Sequence, residues 1–75
     1  MYLKRLKDIR EDKDLLQKQI AIILGITRQQ YGLYENGDRD LPIEKLYKLA
    51  EFYNISADYI LGLTNETKPY PRIKK

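Results

Sequence analysis

The stretch QKQIAIILGITRQQYGLY, from Gln17 to Tyr34, constrains this chain more than any other. Ile20, Ala21 and Leu24 fall on one face at helical spacing. Gly25 interrupts the pattern, and a glycine just past a helix end marks a left-handed residue, where a Cβ is costly. Ile26 follows as a buried peg. Thr27 caps a second helix, and Gln30, three residues on, completes a capping box. Tyr31 and Tyr34 then form an inward stripe at i, i+3. Ala21 must be small, because two helices crossing steeply over so short a turn approach closely there. Arg28, Gln29, Gly32 and Leu33 are left pointing outward, as a ridge with few acids and little bulk that can enter a groove.

Two short helices and a tight turn are the helix-turn-helix layout. At 75 residues the chain has room for one domain. It has no cysteine and no histidine, which removes disulfides, thiolate chemistry and the commonest general base and metal ligand. The remaining acids are scattered over helix exteriors and loops, and there is no glycine-rich phosphate loop, so an enzyme is not expected and neither is a cofactor or metal. No apolar run has bilayer length and MYLKRLKDIRED has no signal-peptide core, so the expectation is a cytoplasmic protein without a membrane partner. The net charge of +3 sits at the C-terminal end: residues 64–75 carry Lys68, Arg72, Lys74 and Lys75 against Glu66, while residues 1–63 balance at ten basic and ten acidic. Overall charge therefore gives no support for nucleic-acid binding.

Around the central stretch, residues 2–13 read as a first helix with Leu3, Leu6 and Ile9 inward and Lys4, Arg5, Lys7 and Asp8 outward. Arg10 falls beside the apolar stripe, where an arginine needs a partner; Glu35 is the candidate, with two ordinary surface charges as the alternative. Asp14 can cap a second helix starting at Leu15, with Gln17 as the reciprocal residue, but a start at Gln17 is equally open. Leu15 is expected to be buried. Asn36-Gly37 signals a helix stop. A fourth helix from Ile43 to Tyr53 carries the stripe Ile43, Leu46, Leu49, Ala50 and Tyr53. Asn54 stops it, Ser56 caps a short fifth helix and Gly62 closes that one. From Thr64 onward TNETKPYPRIKK loses periodicity and reads as a flexible basic tail or linker start, so the domain is placed at 1–63 and the tail at 64–75.

The pieces LKDIRED, Gln17, Ile20-Ala21, LGIT, YENG, LPIEKLYKLAEFYNIS and ADYILG, in this order and spacing, resemble the lambda-repressor-like (Xre/Cro-type) helix-turn-helix family over about four fifths of the chain. The resemblance implies an all-α, five-helix domain that binds operator DNA as a symmetric dimer. It also implies groove-surface positions at Thr27, Arg28, Gln29 and Leu33. A phosphate contact by Gln17, which would brace Arg28, and backbone contacts from the Asn36–Arg39 loop are implied as well. So is an ion pair of Arg10 with Glu35. Three features depart from the family pattern. Leu16 stands where a threonine usually caps helix 2, Tyr31 replaces a branched aliphatic, and Asp38 and Asp40 flank the loop expected to meet phosphates.

Phosphate contacts hold a duplex and base-edge contacts read it. Gln29 is suited to adenine N6 and N7, Arg28 to guanine O6 and N7 or to a phosphate, and Leu33 to a thymine methyl. Gln17, Lys18, Thr27, Asn36 and Arg39 are the backbone-contact candidates. Thr27 and Gln30 serve equally as caps, and Lys18 and Arg39 equally as solvated charges. Of the seven tyrosines, Tyr31, Tyr34, Tyr53 and Tyr59 fall on inward positions, which favours core over a single-strand stacking platform. Phe52, Ile60 and Leu63 exceed what a small core needs and are the candidate dimer surface. The leading expectation is a DNA-binding transcriptional regulator, a repressor dimer on an inverted-repeat operator, with no small-molecule ligand. The alternative is a protein-interaction module of the same fold, of antitoxin or anti-repressor type.

Overall fold

Local stop signals cut the chain into short helices whose apolar faces can only be buried against one another. The computed structural model describes residues 1–69 and 71; among them are five α-helices and no strand. These are α1 (Lys4–Asp12), α2 (Gln17–Leu24), α3 (Arg28–Asn36), α4 (Ile43–Tyr53) and α5 (Ala57–Leu61). The all-α, five-helix architecture is the one the sequence implies. Leu3, Leu6 and Ile9 from the first segment meet Ile20, Ala21 and Leu24 of α2, Tyr31 and Tyr34 of α3, Leu46, Leu49 and Tyr53 of α4, and Ile60 of α5 in one core. The most extensive contact is that of α2 with α3. Ala21 is 2% exposed at this crossing, where its methyl group lets the two backbones close up.

Several expectations need correction. Asp14 does not cap α2. It takes a left-handed conformation (φ 56°) that ends α1, and the Leu15 N–H behind it donates to the Arg10 carbonyl at 3.0 Å. The N-cap of α2 is Leu16, whose own N–H donates to Gln19 Oε1 at 2.7 Å. A leucine has no side-chain acceptor to give, so half of a capping box is made and the helix starts at Gln17. Leu15 and Ile26 are half-buried against the core rather than enclosed by it. Ile43 is 80% exposed, since the first turn of α4 lies outside the core and the buried stripe begins at Leu46.

The chain also does not leave the domain at Thr64. The Ser56 N–H donates to the Thr67 carbonyl at 3.0 Å and the Ser56 hydroxyl donates to the Glu66 carbonyl at 3.2 Å, so residues 64–67 lie back along α5. The remainder of the expected tail, Tyr70 and residues 72–75, lies outside the described residues.

Gly37, the C-cap of α3, sits at φ 80° with Tyr2 pressed against it. A Cβ there would lie 3.0 Å from the Tyr2 Cβ and 3.1 Å from its Cα. Gly37→Ala combines a left-handed alanine with a backbone clash and should cost about 1–3 kcal/mol in chemical denaturation. Gly25→Ala (φ 70°, no atom within 4 Å of the added methyl) is the comparison. It carries the conformational cost alone, and equal losses at the two sites would show that the Tyr2 contact contributes nothing.

Candidate nucleic-acid interface

The start of α3 is set by its cap. Thr27 Oγ1 accepts from the Gln30 N–H at 3.1 Å and Gln30 Oε1 accepts from the Thr27 N–H at 2.9 Å. With that register fixed, Tyr31, Tyr34 and Glu35 turn inward and are buried. Arg28, Gln29 and Asn36 are exposed, and Gly32 and Leu33 are half-buried between them. Spacings of three and four residues place these five on one continuous outer face. Among the described residues, the C-terminal segment makes its hydrogen bonds to α1 and α5 and leaves this face open.

That face is acid-free because the one carboxylate of α3 is used inside. Glu35 Oε2 accepts from Arg10 Nε at 2.6 Å, and Oε1 accepts from Arg10 Nη2 and from Gln17 Nε2, each at 3.1 Å. Arg10 Nη1 also donates to the Leu15 carbonyl at 2.8 Å. One buried fork thus ties the end of α1, the α1–α2 link, the first residue of α2 and the last turn of α3. Burial alone would raise the Glu35 pKa. The Arg10 hydrogen bonds, the nearby Tyr31 hydroxyl, the Gln17 hydrogen bond and the Arg10 charge together outweigh it and hold the carboxyl below its ordinary value, while Glu35 in turn raises Arg10. Both shifts describe a charged pair. The Tyr31 and Tyr53 hydroxyls lie buried beside this pair without a hydrogen bond of normal geometry. Burial raises both phenols first; at Tyr31 the approach of its hydroxyl to the Glu35 carboxylate comes next, and at Tyr53, pushed up to about 12, the Glu35 charge does.

The structure brings Arg10 and Glu35 together. It also gives Gln17 a partner inside the protein: its Nε2 donates to Glu35, where bracing of Arg28 was implied. Its Oε1 faces Gly32, where an added Cβ would sit at an ordinary 3.8 Å. Lys18, Thr27, Asn36 and Arg39 are exposed, Thr27 and Asn36 at the two ends of α3. Of the two flanking aspartates, Asp40 pairs with the Met1 ammonium.

The Tyr31 side chain, in place of the branched aliphatic, is wholly enclosed, its hydroxyl included. Ile60 is also corrected: at 1% exposure it belongs to the core and has no surface to offer a second chain, whereas Phe52 (44%) and Leu63 (74%) do. The sequence gives no sign of Gln17's true partner, since a carboxylate eighteen positions away becomes its neighbour only once α2 and α3 cross.

A family model described as helix-turn-helix matches residues 6–60. The chain belongs to the helix-turn-helix family of the lambda-repressor-like (Xre) type. HTH-type transcriptional regulator YobD of Bacillus subtilis is 40% identical over 75 residues, which is all of this chain and 65% of YobD. The cryptic phage CTXphi transcriptional repressor RstR of Vibrio cholerae is 33% identical over 55 residues, 73% of this chain and 50% of RstR. The crystal structure of a transcriptional regulator from Listeria innocua superposes with a TM-score of 0.79 at 27% identity, covering 89% of this chain and 63% of that one. The chain spans less than two thirds of the length of each.

Proposed function

We propose that this domain binds double-stranded DNA sequence-specifically and acts in a transcriptional regulator, as a repressor that occupies an inverted-repeat operator as a dimer. The carrying observation is the outer face of α3, where Arg28 and Gln29 stand exposed beside a half-buried Leu33 on a helix whose only acid is turned inward. Gln29 reads a base edge, Arg28 takes a guanine edge or a phosphate, and Leu33 meets a thymine methyl. Gln17, Lys18, Thr27, Asn36 and Arg39 meet the sugar–phosphate backbone, with Gln17 held in place by its bond to Glu35. Phe52 and Leu63 supply the surface for a second copy, which sets two recognition helices about 34–36 Å apart along one face of the duplex. The cytoplasm is where such a domain meets its DNA. The repressor named among the relatives supports the direction of regulation.

Selection of bound sequences from a random duplex pool tests binding, symmetry and half-site spacing together. On the selected site, Gln29→Ala should weaken binding by about 1–3 kcal/mol while binding to random duplex stays unchanged. An equal loss on both would remove Gln29 from base reading. The charge balance of zero over residues 1–63 favours one other reading, a protein-interaction module of antitoxin or anti-repressor type. Titration of binding against salt separates the two, because duplex binding weakens steeply as salt rises. A monomer both free and on DNA in sedimentation would remove the dimer.

A further inference from the structure

The segment after α5 carries contacts that DNA recognition leaves unused, and they converge on Arg5. Arg5 Nη1 donates to the Tyr59 carbonyl at 2.8 Å and to the Thr64 carbonyl, and Nη2 donates to Asn65 Oδ1 at 2.8 Å. The guanidinium carbon stands 4.1 Å from the centre of the Tyr59 ring, within cation–π range. One side chain of α1 therefore adds a second bond to a carbonyl in the last turn of α5 that also accepts from the Gly62 N–H, stacks on the same residue's ring, and grips Thr64 and Asn65 beyond the helix. A lysine presents one compact charge and cannot reproduce this fork.

The far end of the segment is held as firmly. Ser56, the N-cap of α5, accepts from the Tyr59 N–H at 3.0 Å and gives its own hydroxyl proton to the Glu66 carbonyl. Its backbone N–H goes to the Thr67 carbonyl. Residues 64–67 thus run from the C-terminal end of α5 back to its N-terminal end. Two further bonds are local, Glu66 N–H to Thr64 Oγ1 at 3.1 Å and Lys68 N–H to Glu66 Oε1 at 2.9 Å. Five residues of helix are too few to persist alone. Of these five, only Ile60 is fully enclosed.

We propose that residues 64–67 are a strap, latched by Arg5, and that α5 and the strap open and close as one unit, separately from the α2–α3 pair. Both ends of the strap bond the helix it covers, so loss of the latch at Thr64 and Asn65 propagates to Ser56 at the opposite end. The unit brings one enclosed side chain, Ile60, with Ala57, Tyr59 and Leu61 only partly buried against the core, and its remaining ties are half-buried or exposed hydrogen bonds, which places it toward the low end of the domain's local opening energies.

Residue-resolved amide hydrogen exchange on the full chain tests this, with Arg5→Ala and Arg5→Lys beside the parent. Arg5→Ala should speed exchange about tenfold or more at Ser56, Ile60 and Leu63 together, since bonds to a charged group are lost. Ile20 to Leu24 should keep their protection, and Arg5→Lys should restore only part of the loss. Unchanged exchange at Ser56 with faster exchange at Leu63 would mean that Arg5 caps α5 alone and would overturn the strap. A uniform rise over all helices would mean global destabilisation and would overturn the separate unit. Should Arg5→Ala not fold, Asn65→Ala, which removes one exposed contact of the latch, should give the same pattern at smaller amplitude, and parental exchange in it would count against the proposal.

Discussion

Glu35→Ala should cost about 3–5 kcal/mol of folding stability, because it strands the buried Arg10 guanidinium without its counter-charge. At roughly 0.05–0.15 kcal/mol per residue, that is a large share of everything a domain of this size has. The size of the loss comes from asymmetry. Intact, the pair sits in a fork of two Arg10 bonds and a third from Gln17, so its desolvation is offset. With one partner removed, the desolvation remains and the compensation is gone. Glu35→Gln should lose nearly as much, since the amide keeps the shape and gives up the charge. The double replacement Arg10→Met/Glu35→Leu should recover most of the loss, because no uncompensated charge is left inside. Chemical denaturation of the two single variants and the double gives the coupling directly. Single losses that simply add in the double would show that the pair contributes no mutual stabilisation.

The same pair fixes an acid limit. The folded-state pKa of Glu35 lies below its ordinary value of 4.5, so its contribution is fully present above that value and disappears as the pH falls through the depressed one. Acid unfolding of the parent should therefore steepen below about pH 4.5, and the Arg10→Met/Glu35→Leu variant should lose that part of the slope. Arg10 remains charged across this range and adds no second limit.

Much of this arrangement was legible in the sequence because its causes are local. Thr27 with Gln30, Ser56, Gly25 and Asn54 act within a turn of where they stand, and all cap or end their helices as their chemistry dictates. What escaped depends on where elements lie after folding. Ile43 matches the apolar period of α4, yet periodicity carries no information on where a helix emerges from the core. Ile60 looked surplus because the depth of the small core at α5 depends on four other helices. Leu16 hid the start of α2 because the only side-chain half of its cap comes from Gln19. Arg5 was indistinguishable from its neighbours Lys4 and Lys7, since its acceptors lie 54 to 60 positions away. At the proposed interface, residue types are readable and their partners are not.

Tyr31 separates the two halves of an aromatic side chain's contribution. The ring is wholly buried in the shared core, and its hydroxyl has no normal hydrogen bond. Tyr31→Ala should cost about 3–5 kcal/mol, the range for emptying an aromatic site in a core that cannot collapse to fill it. Tyr31→Phe keeps the ring and removes a buried polar group that has no partner to lose, so it should cost nothing measurable and can add stability. If Tyr31→Phe instead loses about 1 kcal/mol or more, the hydroxyl is bonded to Glu35 in solution and belongs to the Arg10–Glu35 fork. A Tyr31→Phe/Glu35→Gln cycle would then show coupling between the two positions. Thermal melts resolve the outcomes, since 1 kcal/mol moves the midpoint of a domain this size by roughly 4–8 °C. Binding to the selected DNA site should follow stability alone in these variants, because Tyr31 faces away from the surface that carries Arg28, Gln29 and Leu33.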